Sequence, residues 1–259
     1  MDLGVKGKKA IVCASSRGLG KACAIALAKE GVDVVINGLH EDRLQEAKDE
    51  IHVLGGGDVI AVLADLNTEQ GRSELIAACP EADILVNNNE GPPPGQFEQW
   101  QREDFQAAME ANFLAPVFMI QSLLPGMKNR QFGRIVNVTS AMVKSPRAAM
   151  GLSTSARSGL TAMCKGLSQE VAPFNVTINN MLPERFDTDR QKFMAQMAMK
   201  FKGISHEEAI AEIHESIAAK RMGLPSEFGD ACAFLCSSQA GFISGQNLQL
   251  DGGSYAGLI

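Results

Sequence analysis

The sequence predicts an α/β chain: one doubly wound domain built on a parallel sheet of seven strands. Three observations carry this. Short Val/Ile/Leu runs alternate with longer helical patterns from one end to the other. The strand runs are continuously apolar rather than alternating, as strands covered on both faces are. A Gly-rich turn at 13–20 joins the first strand to the first helix. With 259 residues the chain fills one large core, so its length does not call for a second domain.

The elements follow in order. KKAIVCA (8–14) is the first strand, and an apolar helix runs from 19 to 30. VDVVING (32–38) is a strand, and EDRLQEAKDEIHVL (41–54) has the apolar spacing of an amphipathic helix. DVIAVLADL (58–66) is a strand, and Thr68 starts a helix that ends at Cys79. ADILVNN (82–88) is a buried strand. A long helix begins at Arg102 and ends near residue 128, with Pro116 marking a kink. GRIVNVTS (133–140) is a strand, and 152–172 is a helix rich in small residues. NVTINNMLP (175–183) and NLQLDGG (247–253) are the last two strands.

Between those two strands, residues 184–222 form a helical insertion. Ser205 and Glu208 have the spacing of a capping box for its second helix. Phe193, Met194, Met197 and Phe201 fall at helical spacing, which fits either core packing or a lid over an apolar ligand.

The net charge is −6 and there is no Lys/Arg run, so a nucleic-acid partner is not expected. No window reaches 18 apolar residues, so no membrane span is expected. The start passes from a charged stub into the first strand without a signal-peptide core, which predicts a cytoplasmic protein. The six cysteines form no CxxC and none sits at ligand spacing from a histidine. They are expected to be buried, reduced thiols, with no metal site.

The turn CASSRGLG (13–20) lets backbone approach a pyrophosphate at a helix N-terminus. Over nearly its whole length the chain resembles the short-chain dehydrogenase/reductase family. The turn is similar to the family's TGxxxGxG, with Ala14 for the first glycine. Asn87-Asn88-Asn89-Glu90 stands where the family has NNAG. Asn112 matches the helix asparagine of a proton relay, and Ser140 the catalytic serine. Pro183 with Thr188 resembles PGxxxT, and GFISGQNLQLDGG resembles the C-terminal signature. The resemblance implies a Rossmann-like fold and an NAD(P) cofactor. It implies cofactor contacts from Ser15, Arg17, Gly18, Leu19, Gly20, Asp65 (adenine), Asn88 and Thr188 (nicotinamide amide). No acid closes the second strand at 37–39 and Arg17 lies in the turn, which leans towards NADP.

One part of the pattern is missing. Counting thirteen residues from Ser140 gives Ser153, and four more give Arg157, so SxxxR replaces the family's YxxxK. A phenol with a pKa near 10 is a workable proton donor, while a serine hydroxyl is far less acidic on a shorter arm. Arginine stays charged and does not shuttle protons, although it is able to donate hydrogen bonds to a ribose or phosphate. The only tyrosine, Tyr255, is in the tail. Glu90 and Glu184 stand where the family has glycines against the cofactor, and their charge would oppose phosphates.

These losses favour weakened or absent nucleotide binding. They put a non-catalytic subunit, in a homo- or hetero-tetramer with other family subunits, narrowly first. Heteromeric dehydrogenases acting on aromatic acyl-CoA intermediates, similar in fold, pair such a subunit with an active one. An autonomous alcohol/ketone oxidoreductase with a nonstandard set of Ser140, Asn112, Ser153 and Arg157 is the alternative, with Lys144 a lesser candidate. A non-redox lyase or isomerase using Glu90 or Glu184 is the third. The Met/Phe stripe suggests a bulky apolar or acyl-CoA-like substrate.

Overall fold

A computed structural model describes residues 2–258. Its strands are β1 (Lys9–Val12), β2 (Asp33–Gly38), β3 (Val59–Leu63), β4 (Ile84–Asn87), β5 (Gly133–Val138), β6 (Val176–Pro183) and β7 (Asn247–Leu250). They form one sheet in the order β3-β2-β1-β4-β5-β6-β7, every pair parallel. The helices are α1 (Gly18–Lys29), α2 (Glu41–Leu54), α3 (Glu69–Ala78), α4 (Arg102–Met109), α5 (Ala115–Asn129), α6 (Gly151–Val171), α7 (Asp189–Lys202), α8 (His206–Glu215) and α9 (Pro225–Cys236).

Continuous apolar strands are explained by the two cores. One face of the sheet gives Val12, Ile36 and Val86 to a core with Cys23 and Leu27 of α1, Leu44 and Ile51 of α2, and Phe228 of α9. The other gives Ile11, Val35 and Leu85 to a core with Leu75 of α3, Met119 and Leu123 of α5, and Leu160 of α6. Successive side chains of a strand point to opposite faces, so both must be apolar. The strand order reverses between β1 and β4, and that is where a doubly wound sheet opens a crevice at its carboxyl ends.

One polar line crosses this apolar sheet. Asn87 of β4 donates to Asn137 of β5 (2.9 Å), Asn137 to Asn180 of β6 (3.0 Å), and Asn180 to Asn247 of β7 (2.8 Å). Each of these amides is satisfied only when four strands stand in one register, so the ladder fixes that register. The six cysteines are all buried and unpaired, as expected, and no group of metal-ligating residues occurs among the described residues.

Two expectations need correction. The long helix is not one continuous α-helix: a π-turn at Glu110–Leu114, just before Pro116, joins α4 to α5. Pro116 has no N–H for the carbonyl of Asn112, four residues earlier, which removes one α-helical bond at that turn. Residues 102–129 together are long and apolar enough to cross a membrane by composition, but Met119, Ile120, Leu123 and Met127 are buried against the sheet. In the insertion, the capping box of α8 is present: Glu208 N–H donates to Ser205 Oγ (3.2 Å), and Ser205 N–H to Glu208 Oε2 (2.8 Å). The stripe on α7 does not pack as core. Ala195 meets Ala209, Ile213 and Ile217, whereas Phe193 is 42% and Phe201 83% exposed.

Candidate active site

A cavity of about 920 Å³ lies at the carboxyl ends of β1, β4, β5 and β6, with α7 across it. Its two ends are built from different materials.

At one end the turn after β1 holds its shape by strain and close approach. Ala14 sits at φ +44°, a left-handed conformation that an L side chain adopts at a cost of about 1 kcal/mol. Its N–H donates to Asn37 Oδ1 (2.6 Å) and its carbonyl accepts from Asn88 Nδ2 (3.2 Å). Gly20 is required because a Cβ there would lie 2.4 Å from the Ala14 carbonyl oxygen. Arg17, Gly18, Leu19, Asp65, Asn88 and Thr188 all line the cavity, and Gly20 lies behind that lining.

Ser15 does not, and the expectation of a cofactor contact from it fails. It is fully buried, its hydroxyl donating to Val12 O (2.6 Å) and accepting from Asn37 N–H (3.1 Å). Its neighbour Ser16 lines the cavity instead. Asn37, where an acid was missing, is also committed, donating to Ala64 O (3.0 Å). Beyond it the wall carries His40 and Arg43. Arg43 was missed in the sequence because it reads as one more charge on an amphipathic helix.

At the other end, Ser140 caps a 3₁₀ turn by accepting from Met142 N–H (3.2 Å), which leaves its own proton to donate. Ser153 and Arg157 are adjacent on α6, Arg157 Nε donating to Ser153 Oγ (3.1 Å). Arg157 is buried and donates further to Val138 O (2.7 Å), Thr139 O (2.9 Å) and Asn89 O (3.3 Å). The guanidinium is committed to main chain, which corrects its reading as a donor to ribose or phosphate. Burial, with Arg190 nearby, lowers its pKa to about 10, so it stays charged at neutral pH.

Asn112 is buried on the π-turn, its Nδ2 donating to Glu90 O (3.3 Å). Its Oδ1 has no partner among the described residues. A pocket of about 20 Å³ lined by Asn112, Asn88, Asn89 and Arg157 adjoins it, room for one water. Lys144 points away from this chemistry, its Nζ lying 5.5 Å over the Tyr255 ring.

The two unexpected carboxylates do not fill the cavity. Glu90 is largely exposed and lies 3.7 Å from Arg17, which is also 3.8 Å from Asp189. Glu184 turns aside to accept from Arg147 (3.0 Å). Arg190 of α7 donates to Pro92 O (3.0 Å) and so ties the GPPPG loop to that helix. Arg147, Arg185 and Arg190 all line the cavity. Nothing in their spacing along the sequence marks them as a group; only the fold collects them.

The residues present fit a phosphorylated dinucleotide. The turn is preformed, Gly18 leaves room beside it at φ +58°, and Arg17 and Arg43 line the same cavity as cations able to meet a phosphate. A family model described as enoyl-(acyl carrier protein) reductase matches residues 13–255. The chain belongs to the short-chain dehydrogenase/reductase family. Among curated relatives it is similar to the NADPH-dependent reductase BacG of Bacillus subtilis, at 32% identity over 95% of this chain and 97% of the relative. It is similar also to the 3-oxoacyl-[acyl-carrier-protein] reductase FabG of Vibrio cholerae, at 30% over 98% and 99%. Among solved structures, L-sorbose reductase of Gluconobacter frateurii, complexed with NADPH and L-sorbose, superposes with a TM-score of 0.93 at 29% identity over all of both chains. YwfH, an NADPH-dependent reductase involved in bacilysin biosynthesis, superposes with a TM-score of 0.89 at 30% identity over 98% and 100%. An NAD(P) oxidoreductase fold, with homologues that use NADPH, is therefore the frame for the site.

Proposed function

We infer that the chain is an NADPH-dependent reductase that holds its substrate's oxygen on Ser140 and works without a tyrosine acid. One observation supports this reading most. The cavity runs unbroken from Arg17 and Arg43 past Gly18 to Ser140, and the substituted side chains lie at its walls rather than across it. A subunit kept only for assembly needs no such space.

Bound NADPH would supply the hydride. The turn at Gly18, opening α1, holds the pyrophosphate, and Arg17 with Arg43 faces the 2′-phosphate. Ser140 donates to the substrate oxygen as charge develops on it. Arg157 fixes the main chain on either side of Thr139 and so aims Ser140; it is a positioning residue. The proton comes from a water held at Asn112 Oδ1 rather than from an ionisable side chain. The α7–α8 pair closes over the substrate as a lid.

The test uses the purified chain alone. NADPH and NADH titrations by nucleotide fluorescence come first, then NADPH consumption with a panel of ketones and enones. Binding with NADPH preferred, and turnover falling about 10²-fold in Ser140→Ala, is the expected result. Absence of nucleotide binding overturns the reading.

A second reading rests on the Ser153–Arg157 pair, which leaves no tyrosine among the residues that line the cavity. It makes the chain a non-catalytic subunit of a hetero-tetramer. Native mass spectrometry of the complex from its own source decides this: nucleotide found only on a partner carrying YxxxK favours the subunit, and a homo-oligomer retaining NADPH excludes it.

A further inference from the structure

The substrate end of the cavity holds an arginine whose donors are unused. Arg185 lines it, half-buried, and its guanidinium makes no ion pair or hydrogen bond among the described residues. The other arginines at this end are committed: Arg147 is paired with Glu184 at 3.0 Å, Arg157 donates to Val138 O, Thr139 O and Asn89 O, and Arg190 donates to Pro92 O. Arg185 alone keeps its fork of donors for a ligand. At half burial its head still meets solvent, so its donors are open to a ligand at little cost to the fold. Burial first, then the charge of Arg147, push the Arg185 pKa down, while Glu184 pushes it up.

The position is held rather than loose. Glu184 N–H donates to Leu250 O (3.1 Å), Gly223 N–H to Arg185 O (2.9 Å), and Asp187 N–H to Gly223 O (2.9 Å). The segment carrying Arg185 is thus tied both to β7 and to the chain leaving α8. The same cavity also carries apolar wall from Met142, Met150, Phe193, Met194 and Pro93.

We propose that this end of the cavity binds a substrate with an apolar body and one carboxylate, with Arg185 as the residue that fixes the carboxylate and sets specificity. A planar fork of N–H donors matches a carboxylate bidentately. One uncommitted guanidinium calls for one carboxylate. Arg185 and Ser140 line the same cavity, so a substrate anchored by its carboxylate is oriented with its reducible oxygen towards Ser140. The inference rests on the reductase reading for what happens next, but not for binding itself.

Calorimetry tests it with two probes of one shape, 3-phenylpropanoate and 3-phenylpropanamide, titrated into the intact chain with and without NADPH. The acid is expected to bind about tenfold or more tighter than the amide. Arg185→Met should erase that difference while leaving the melting temperature and NADPH affinity unchanged, because the guanidinium has no partner to lose. Arg185→Lys should recover part of it. Equal binding of acid and amide, binding of neither, or discrimination that survives Arg185→Met overturns the proposal. The two readings fail separately. Acid preference without NADPH binding or turnover sinks the reductase alone, and NADPH turnover without acid preference sinks the carboxylate anchor alone.

Discussion

Two arginines line one cavity and are built in opposite ways. Arg157 is buried, and its donors reach three backbone carbonyls and a serine hydroxyl. Arg185 is half-buried in the same cavity without a side-chain partner among the described residues. A guanidinium that spends its hydrogen bonds on main chain shapes a site, and one that keeps them is available to a ligand. The contrast extends to the two regions they represent. On α6, Arg157 is a strut that braces the main chain around Thr139, while after β6 Arg185 faces the cavity with its donors unused. Residue identity at a motif position did not reveal which was which; hydrogen-bond accounting did.

The largest test of the contrast removes the strut. Arg157→Met leaves the Val138, Thr139 and Asn89 carbonyls without their donor in a buried place. Unfolding free energy should fall by about 3–5 kcal/mol. That corresponds to roughly 6–20 °C in Tm for a chain of this size. Arg185→Met should change it by less than about 0.5 kcal/mol. Denaturant titration of both variants checks this, and similar losses would erase the distinction. The pH dependence sharpens it. Burial lowers the folded pKa of Arg157 to about 10, below its ordinary value, so the folded state releases that proton first. The cost of burying the charge is therefore present in full below pH about 10 and is relieved only as pH rises above that towards the ordinary arginine range. The stability difference between wild type and Arg157→Met should stay flat from mildly acid to mildly alkaline pH. A slope in that range would mean another group titrates with the pair.

Next in size is the attempt to turn the strut back into a catalyst. Ser153→Tyr with Arg157→Lys restores a phenol and an ammonium at the family's spacing. Ketone reduction should rise about 10²-fold or more, since a positioned acid contributes at least that much. No rise, with folding intact, would place the limit at nucleotide entry, where Arg17 is drawn between Glu90 and Asp189.

The two regions differ also in how legible they were. The seven strands, their order of burial and the turn at 13–20 follow from local pattern: continuous apolar runs, glycines and small residues at close approaches. The loss of YxxxK was equally readable, because a motif is defined by spacing within one helix. The charged end was not. Arg147, Arg185 and Arg190 come from a loop, a strand exit and a helix start that only the parallel crossover brings together. The asparagine ladder was hidden for the same reason, with one residue on each of four strands. Ser15 misled in the other direction. It lies inside the motif, yet its hydroxyl turns inward to Val12 O and Asn37 N–H.

At the nucleotide end the expected effects are smaller, because the groups are exposed or the strain is modest. Glu90→Gly removes a largely exposed carboxylate from beside Arg17. NADPH should bind about threefold tighter, as surface charge pairs are worth under about 1 kcal/mol. The gain should shrink at high salt, where such charges are screened. A gain that persists at high salt would point to lost bulk instead of lost charge.

The smallest test concerns Ala14, the residue that replaced the turn's first glycine without changing its conformation. The backbone keeps φ +44° there, held by the bond from its N–H to Asn37 and by Asn88 on its carbonyl. Ala14→Gly relieves the left-handed strain, worth about 1–2 kcal/mol, but adds unfolded-state freedom that returns about half of it. Stability should rise by roughly 0.5 kcal/mol, with NADPH affinity unchanged because the turn already has its shape. Denaturant titration beside an NADPH titration separates the two. A fall in stability would mean the Ala14 methyl makes contacts that outweigh the strain. Tighter NADPH binding with stability unchanged would mean the methyl stands in the nucleotide's way, and the turn would then belong with the rewritten end of the cavity rather than with the conserved shape of the fold.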